Sequence, residues 1–231
     1  MTTDESAPAA PTSTWRELAV ARSLDSARVR AEDRVQRFLD AALELMNTSE
    51  TGKDFTVQEV VERSGQSLRS FYQYFGGKQE LLLALFEETV RSTADQVRDR
   101  IEEEKDPLER LHRFVVEYYR LSRPTKRGKA TKQQRPTPAM AEFAQQLLTS
   151  HPEEAARAFL PVVSLFEDVI DDAVAAGEVR DDVRQRRVAG IVLEAILFHS
   201  FSTTIIGREA DANGGDPAEE LWDIILHGIA A

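Results

Sequence analysis

The chain has 231 residues, 42% of them hydrophobic, enough for one large or two small domains with a sizeable buried core. It contains no cysteine, which excludes disulfides, thiolate metal sites and cysteine nucleophiles and suits the cytoplasm. The formal charge of −11 argues against a broadly basic nucleic-acid binder. Residues 1–80 hold ten Lys/Arg against thirteen Asp/Glu, and residues 81–231 nineteen against twenty-seven, so any DNA-facing surface must be local.

In chain order, residues 1–14 are rich in Ala, Pro, Ser and Thr, lack a periodic apolar face, and read as a disordered tail. From Trp15 a helix-compatible segment follows in which Arg16, Arg22, Arg28, Arg30, Arg34 and Arg37 stand among four acids. Two readings remain open for it: a DNA-reaching arm, or an extra amphipathic helix with Trp15 and Leu18 packed back on the domain. Val35, Phe38, Leu39, Ala42, Leu43 and Met46 then repeat with helical spacing and predict a first domain helix, ended by the polar stretch Asn47 to Asp54.

The stretch Phe55 to Lys78 carries the chain's most specific pattern. Thr56 and Glu59, three apart ahead of Val60 and Val61, form a capping box that starts a helix at about Val57. Gly65 allows a sharp turn, and Ser67 caps a second helix running through Phe75. Leu68, Phe71 and Phe75 make its apolar ridge, while Arg69, Ser70 and Gln73 point elsewhere. Small, polar and cationic groups at a helix start suit base edges in a major groove; Tyr72, Tyr74 and Lys78 suit phosphate oxygens. No acid occurs between Arg63 and Gln79. A helical hairpin in an all-α core is the plainer reading of the same spacing, but turn, cap, aromatic pair and downstream lysine coincide.

Thr56, then Gly65-Gln66-Ser67, then Phe71-Tyr72-Gln73-Tyr74-Phe75, then Lys78-Gln79-Glu80-Leu81 resemble the DNA-binding domain of TetR-type transcriptional regulators. Gln66 departs from that pattern, which usually has a small apolar residue there. The resemblance implies an all-α protein with a helix-turn-helix domain at 15–80 and an effector-binding and dimerisation domain at 81–231. It also implies DNA contacts from Thr56, Ser67, Leu68, Arg69, Ser70, Tyr72, Gln73, Tyr74 and Lys78.

Beyond it, Leu81 to about Glu104 predicts a long connecting helix with Leu82, Leu85, Phe86, Thr89, Val90 and Thr93 buried. Asp106-Pro107 opens a helix whose face, Leu108, Leu111, Phe114, Val115, Tyr118 and Tyr119, is unusually aromatic. Residues 120–138 hold seven Lys/Arg, three Pro and no acid, and read as an exposed basic loop, with DNA phosphates or an anionic ligand group as the sharper alternative. Met140, Phe143, Leu147 and Leu148 resume the helical pattern. A long segment from Ser150 to Gly177 follows, which Pro161 is expected to kink or divide. Val183 to Gly207 and a last helix from Asp216-Pro217 are apolar nearly all round. The resemblance implies that these two pair with their counterparts in a second subunit as a four-helix bundle, and a charge at Ile225 is expected to break that interface.

The catalytic templates are absent: no HExxH, no phosphate loop, no GxGxxG and no nucleophile elbow. The chain is therefore read as no enzyme, with no cofactor, no metal and no membrane span, an acyl- or steroid-processing enzyme being the reading without a constellation behind it. The expected function is a ligand-responsive regulator, a repressor, that binds a palindromic double-stranded operator as a homodimer and is released by a small lipophilic effector. Its pocket is expected among Phe86, Val90, Thr93, Phe114, Tyr118, Phe143, Phe166 and His199. The competing class is an all-α scaffold or interaction protein that uses the aromatic hairpin as core.

Overall fold

The computed structural model describes residues 14–48, 55–123, 138–182, 184–206 and 215–229. Among them lie nine helices: α1 Trp15–Thr48, α2 Val57–Ser64, α3 Leu68–Tyr74, α4 Lys78–Ile101, α5 Pro107–Ser122, α6 Pro138–Ser150, α7 Pro152–Ala175, α8 Gln185–Ile206 and α9 Pro217–Ile229. Most of the expected tail, most of the basic loop and the Gly-rich loop before α9 fall outside the described residues.

The first correction concerns α1. The arginine-rich segment and the first domain helix are one helix of 34 residues, because neither Gly nor Pro interrupts Trp15 to Thr48. Its second half is anchored by Phe38 and Ala42, both fully buried. The first half stands off: Trp15 is 77% exposed, and Val20, Leu24 and Val29 also face solvent, so Trp15 does not pack back on the domain. The side chain of Leu18 lies outside the described residues.

In the helix-turn-helix, α1 packs on α2 and α4, and α2 on α3. Phe38 meets Phe71 edge-on at 5.4 Å and Phe75 at 6.1 Å, so the aromatic ridge of α3 is held against α1. Leu68 is the second correction. It is 43% exposed, at the first position of α3, and takes no part in the buried ridge of Phe71 and Phe75.

α4 is the shared element, packed against α1 on one side and against α5, α6 and α7 on the other. Asp106 caps α5, its Oδ1 accepting from the Glu109 N–H at 2.9 Å, and Pro107 occupies the first turn where its missing N–H costs nothing. Pro161 does not divide α7, which continues through it to Ala175. Gly177 then takes φ +79°, the left-handed conformation that stops the helix without a Cβ clash. α8 packs on α7, α5 and α6, and α9 on α5.

A third correction falls on α9. Ile225 is only 9% exposed and belongs to the core of its own chain, whereas its neighbour Ile224 is 72% exposed. The all-round apolar pattern of this helix hid which of two adjacent isoleucines points inward.

Candidate nucleic-acid interface and effector recess

The turn between α2 and α3 is fixed by bonds three to five residues long. Thr56 Oγ1 accepts from the Glu59 N–H at 3.2 Å, while the Glu59 carboxylate accepts from the Thr56 N–H at 2.7 Å and from its hydroxyl at 2.8 Å. These bonds, the backbone one foremost, hold the Glu59 carboxyl below its ordinary range. Gly65 sits at φ +65° and donates to Glu62 O, and Gln66 N donates to Val61 O, closing α2. Ser67 Oγ then accepts from the Ser70 N–H at 3.1 Å and opens α3.

Thr56 and Ser67, both expected at DNA, thus shape the turn with their hydroxyls while remaining exposed. Along α3 the structure leaves Leu68, Arg69, Tyr72 and Gln73 exposed, with Ser70 and Tyr74 half-buried, so these residues line one outward surface beside the buried Phe71. Lys78, at the start of α4, sits over the Phe55 ring at 4.4 Å. It belongs to the hinge between α3 and α4, away from the start of the recognition helix.

Sequence reasoning missed one neighbour of this surface. Arg34 Nη1 of α1 donates to the Tyr74 hydroxyl at 3.5 Å, across 40 residues of chain. No local pattern announces such a contact.

The second candidate site is a small recess of about 40 Å³ between α4, α5, α7 and α8. Thr89, Val90, Thr93, Tyr118, Ser122, Phe159, Val162 and Leu197 line it. Of the expected pocket residues, Val90, Thr93 and Tyr118 stand in its wall. Phe86, Phe143, Phe114 and Phe166 do not: Phe86 packs on Phe143 at 6.2 Å and on Phe159 at 5.3 Å, and Phe114 on Phe166 at 4.9 Å, forming the layer behind the wall. His199 faces outward on α8, its ring 5.8 Å from Tyr119.

The lining hydroxyls are already occupied. Thr89 Oγ1 donates to Leu85 O at 2.8 Å and Thr93 Oγ1 to Thr89 O at 2.9 Å, and Tyr118 shares a hydrogen bond with Ser122. Burial pushes the Tyr118 phenol well above its ordinary range, the Ser122 bond opposing only in part. It is neutral at physiological pH, and the wall offers a visitor apolar contact with few open polar partners.

Among the described residues no cluster of His, Asp and Glu suits a metal, and no helix is long and apolar enough to cross a membrane. A capped helix-turn-helix whose exposed α3 surface is free of carboxylates, joined by one helix to an all-α domain with an apolar recess, defines a helix-turn-helix transcriptional regulator. Residues 38–85 match the family described as bacterial regulatory proteins, tetR family. The chain is similar to the uncharacterized HTH-type transcriptional regulator YvdT of Bacillus subtilis (strain 168), 24% identical over 195 residues that cover 84% of this chain and 94% of that protein. In fold it resembles FadR, a fatty acid degradation regulator of Bacillus halodurans, with TM-score 0.63, 16% identity, and 84% and 94% of the two chains covered. It also resembles FadR of Bacillus subtilis, solved in complex with stearoyl-CoA, with TM-score 0.63, 14% identity and 84% and 98% covered. Residues 38–85 are thus a tetR-family DNA-binding domain, and the chain as a whole shares the fold of these regulators.

Proposed function

We propose that this regulator is a cytoplasmic repressor that binds a palindromic duplex as a homodimer and leaves it when a small lipophilic effector enters the recess. The observation that carries this reading is the course of α4. Its first residue, Lys78, closes the helix-turn-helix, and Thr89, Val90 and Thr93, three to four turns on, line the recess. A ligand that prefers one seating of α4 therefore has a rigid route to α3, and its differential affinity sets the release, typically ~1 to 3 kcal/mol for such couplings.

The effector class follows from the wall: the lining is apolar with its hydroxyls bonded, and the space of about 40 Å³ must widen by movement of the surrounding helices to take a ligand. A medium-length acyl chain or a compact ring system fits that chemistry, and the stearoyl-CoA bound to the Bacillus subtilis neighbour points the same way. Dimerisation through α8 and α9 is supported by their outward apolar residues: Ile191 and Phe198, seven apart on α8, are exposed, and so is Ile224 on α9. Two subunits so paired would space their α3 helices by about one turn of DNA, ~34 Å.

Selection of bound duplexes from a random pool with the purified full chain tests the reading. The expected result is a two-fold symmetric site, on which Arg69→Ala costs ~1 to 3 kcal/mol and relaxes one position, and from which acyl compounds release the protein. Recovery of no preferred duplex would return the chain to the class of helical interaction proteins.

A further inference from the structure

We infer that the exposed stretch of α1 from Arg16 to Arg34 is a second DNA-binding element, whose Arg30 and Arg34 hold phosphates beside the duplex segment read by α3. This rests on the DNA-binding reading above and extends it to a surface outside the helix-turn-helix.

Three observations converge. The first is position: Arg34 reaches the Tyr74 hydroxyl, so the basic face of α1 adjoins the end of α3. The second is charge segregation. Arg16, Ser23 and Arg30 recur at intervals of seven, and Arg30, Arg34 and Arg37 at i, i+4 and i+7, which places them on one side of the helix. Asp25 and Glu32 fall on the opposite side, where Glu32 takes Arg28 at 3.8 Å. Asp33 pairs with Arg37 at 2.9 Å, and no carboxylate among the described residues pairs with Arg30 or Arg34. The third is that packing makes no use of the described side chains from Trp15 to Arg30, all of which are exposed, and Arg34 is exposed as well.

These properties fit a phosphate backbone. A guanidinium is always charged, binds phosphate oxygens in a fixed fork, and gains affinity by displacing counterions without reading bases. From Arg34 back to Arg16 the helix runs ~27 Å, enough to follow about eight base pairs at ~3.4 Å each. The device also answers a deficit: with the chain at −11 overall, a helix-turn-helix needs local cations to approach a polyanion.

The test uses the full chain, a random-sequence duplex of about four helical turns and a duplex selected from a pool. Arg30→Ala/Arg34→Ala should weaken binding to both by tenfold or more at about 100 mM salt, and lower the slope of log K against log salt by ~1.8 per subunit, two phosphates at ~0.9 each. Arg22→Ala/Arg28→Ala removes as much charge from other faces of α1 and should leave affinity within about twofold. Unchanged melting of both variants, expected because these side chains are exposed, separates contact from folding.

Wild-type affinity and salt slope in the Arg30/Arg34 variant would overturn the inference while leaving the regulator reading intact, and so would an equal loss in the Arg22/Arg28 control. Failure of the wild type to bind either duplex would overturn both. Val20 and Leu24 add apolar groups to this half-helix, so vesicles of equal parts phosphatidylcholine and phosphatidylglycerol form the last arm. Capture by these vesicles that is lost in the Arg30/Arg34 variant, with duplex binding unaffected, would reassign the face to a lipid surface.

Discussion

The turn from Phe55 to Phe75 and the walls of the recess both use short side-chain hydrogen bonds, with opposite results. In the turn, Thr56, Glu59 and Ser67 satisfy backbone N–H groups at helix starts, and the exposed face of α3 is left with Arg69, Tyr72 and Gln73 directed outward. Around the recess, Thr89 and Thr93 bond back onto their own helix and Tyr118 onto Ser122, so the polar groups are turned away from the space they line. One region offers hydrogen bonds to a partner and the other withholds them. That contrast is what a protein needs if it is to take a polyanion at one end and an apolar molecule at the other.

The largest effect is expected at Phe38, the fully buried ring against which Phe71 of α3 and its cap residue Phe75 rest. Phe38→Ala should cost about 3–5 kcal/mol in urea unfolding and abolish duplex binding, since α3 loses its seat. Its effect on the recess should be indirect, through α4 alone.

The recess walls are sharpened by a pair of substitutions. Phe114 is fully buried against Phe166 and takes no part in the lining, so Phe114→Trp should overpack the core by about 1–3 kcal/mol. Val90→Phe fills the recess of about 40 Å³ beside a buried valine and should cost about 1–3 kcal/mol as well, while abolishing the effector response that Phe114→Trp leaves in place. A thermal melt of each variant, with and without an acyl ligand, reads both effects; an effector response kept by Val90→Phe would mean that the recess is not the binding site.

Tyr118 gives the recess a signature in pH. Its folded pKa lies above the unfolded value, so its contribution is complete below the unfolded pKa of about 10 and is lost as pH rises beyond it, by up to ~1.4 kcal/mol per pH unit. Tyr118→Phe should flatten this alkaline fall, leaving the smaller part due to Tyr119, whose phenol is also raised, first by burial. Urea midpoints between pH 9 and 11 measure it. At the other end of the molecule, Thr56→Ala should cost about 1 kcal/mol by uncapping α2, with duplex affinity falling only as far as α2 frays.

The helix-turn-helix was legible because its geometry is written in residues three to five apart: the capping box at Thr56 and Glu59, the left-handed Gly65 and the cap at Ser67 all stand where the sequence puts them. The recess was legible only in part, because apolar periodicity says that a residue is buried and not which empty space it borders. Phe86, Phe114, Phe143 and Phe166 share a stripe character with Val90, yet a layer of packing separates them from the cavity. Thr89 reads from the sequence as buried but not as lining, and Ser122 as neither, although each lies four residues from an expected lining residue, Thr93 and Tyr118. The same limit explains Ile224 and Ile225: in a helix that is apolar all round, the inward direction is set by neighbouring helices.

The continuity of α1 has a consequence in time as well as in space. A helix without tertiary cover depends on intrinsic propensity, and most helical stability in proteins comes from the packing that this stretch lacks. From Trp15 to about Arg30 the hydrogen-bond ladder is therefore free to open from its end, whereas around Phe38 and Ala42 it opens only when the domain unfolds. Amide hydrogen exchange along this one helix should grade from fast to slow over a few turns. Where that gradient falls reports how far the domain's cohesion reaches along α1.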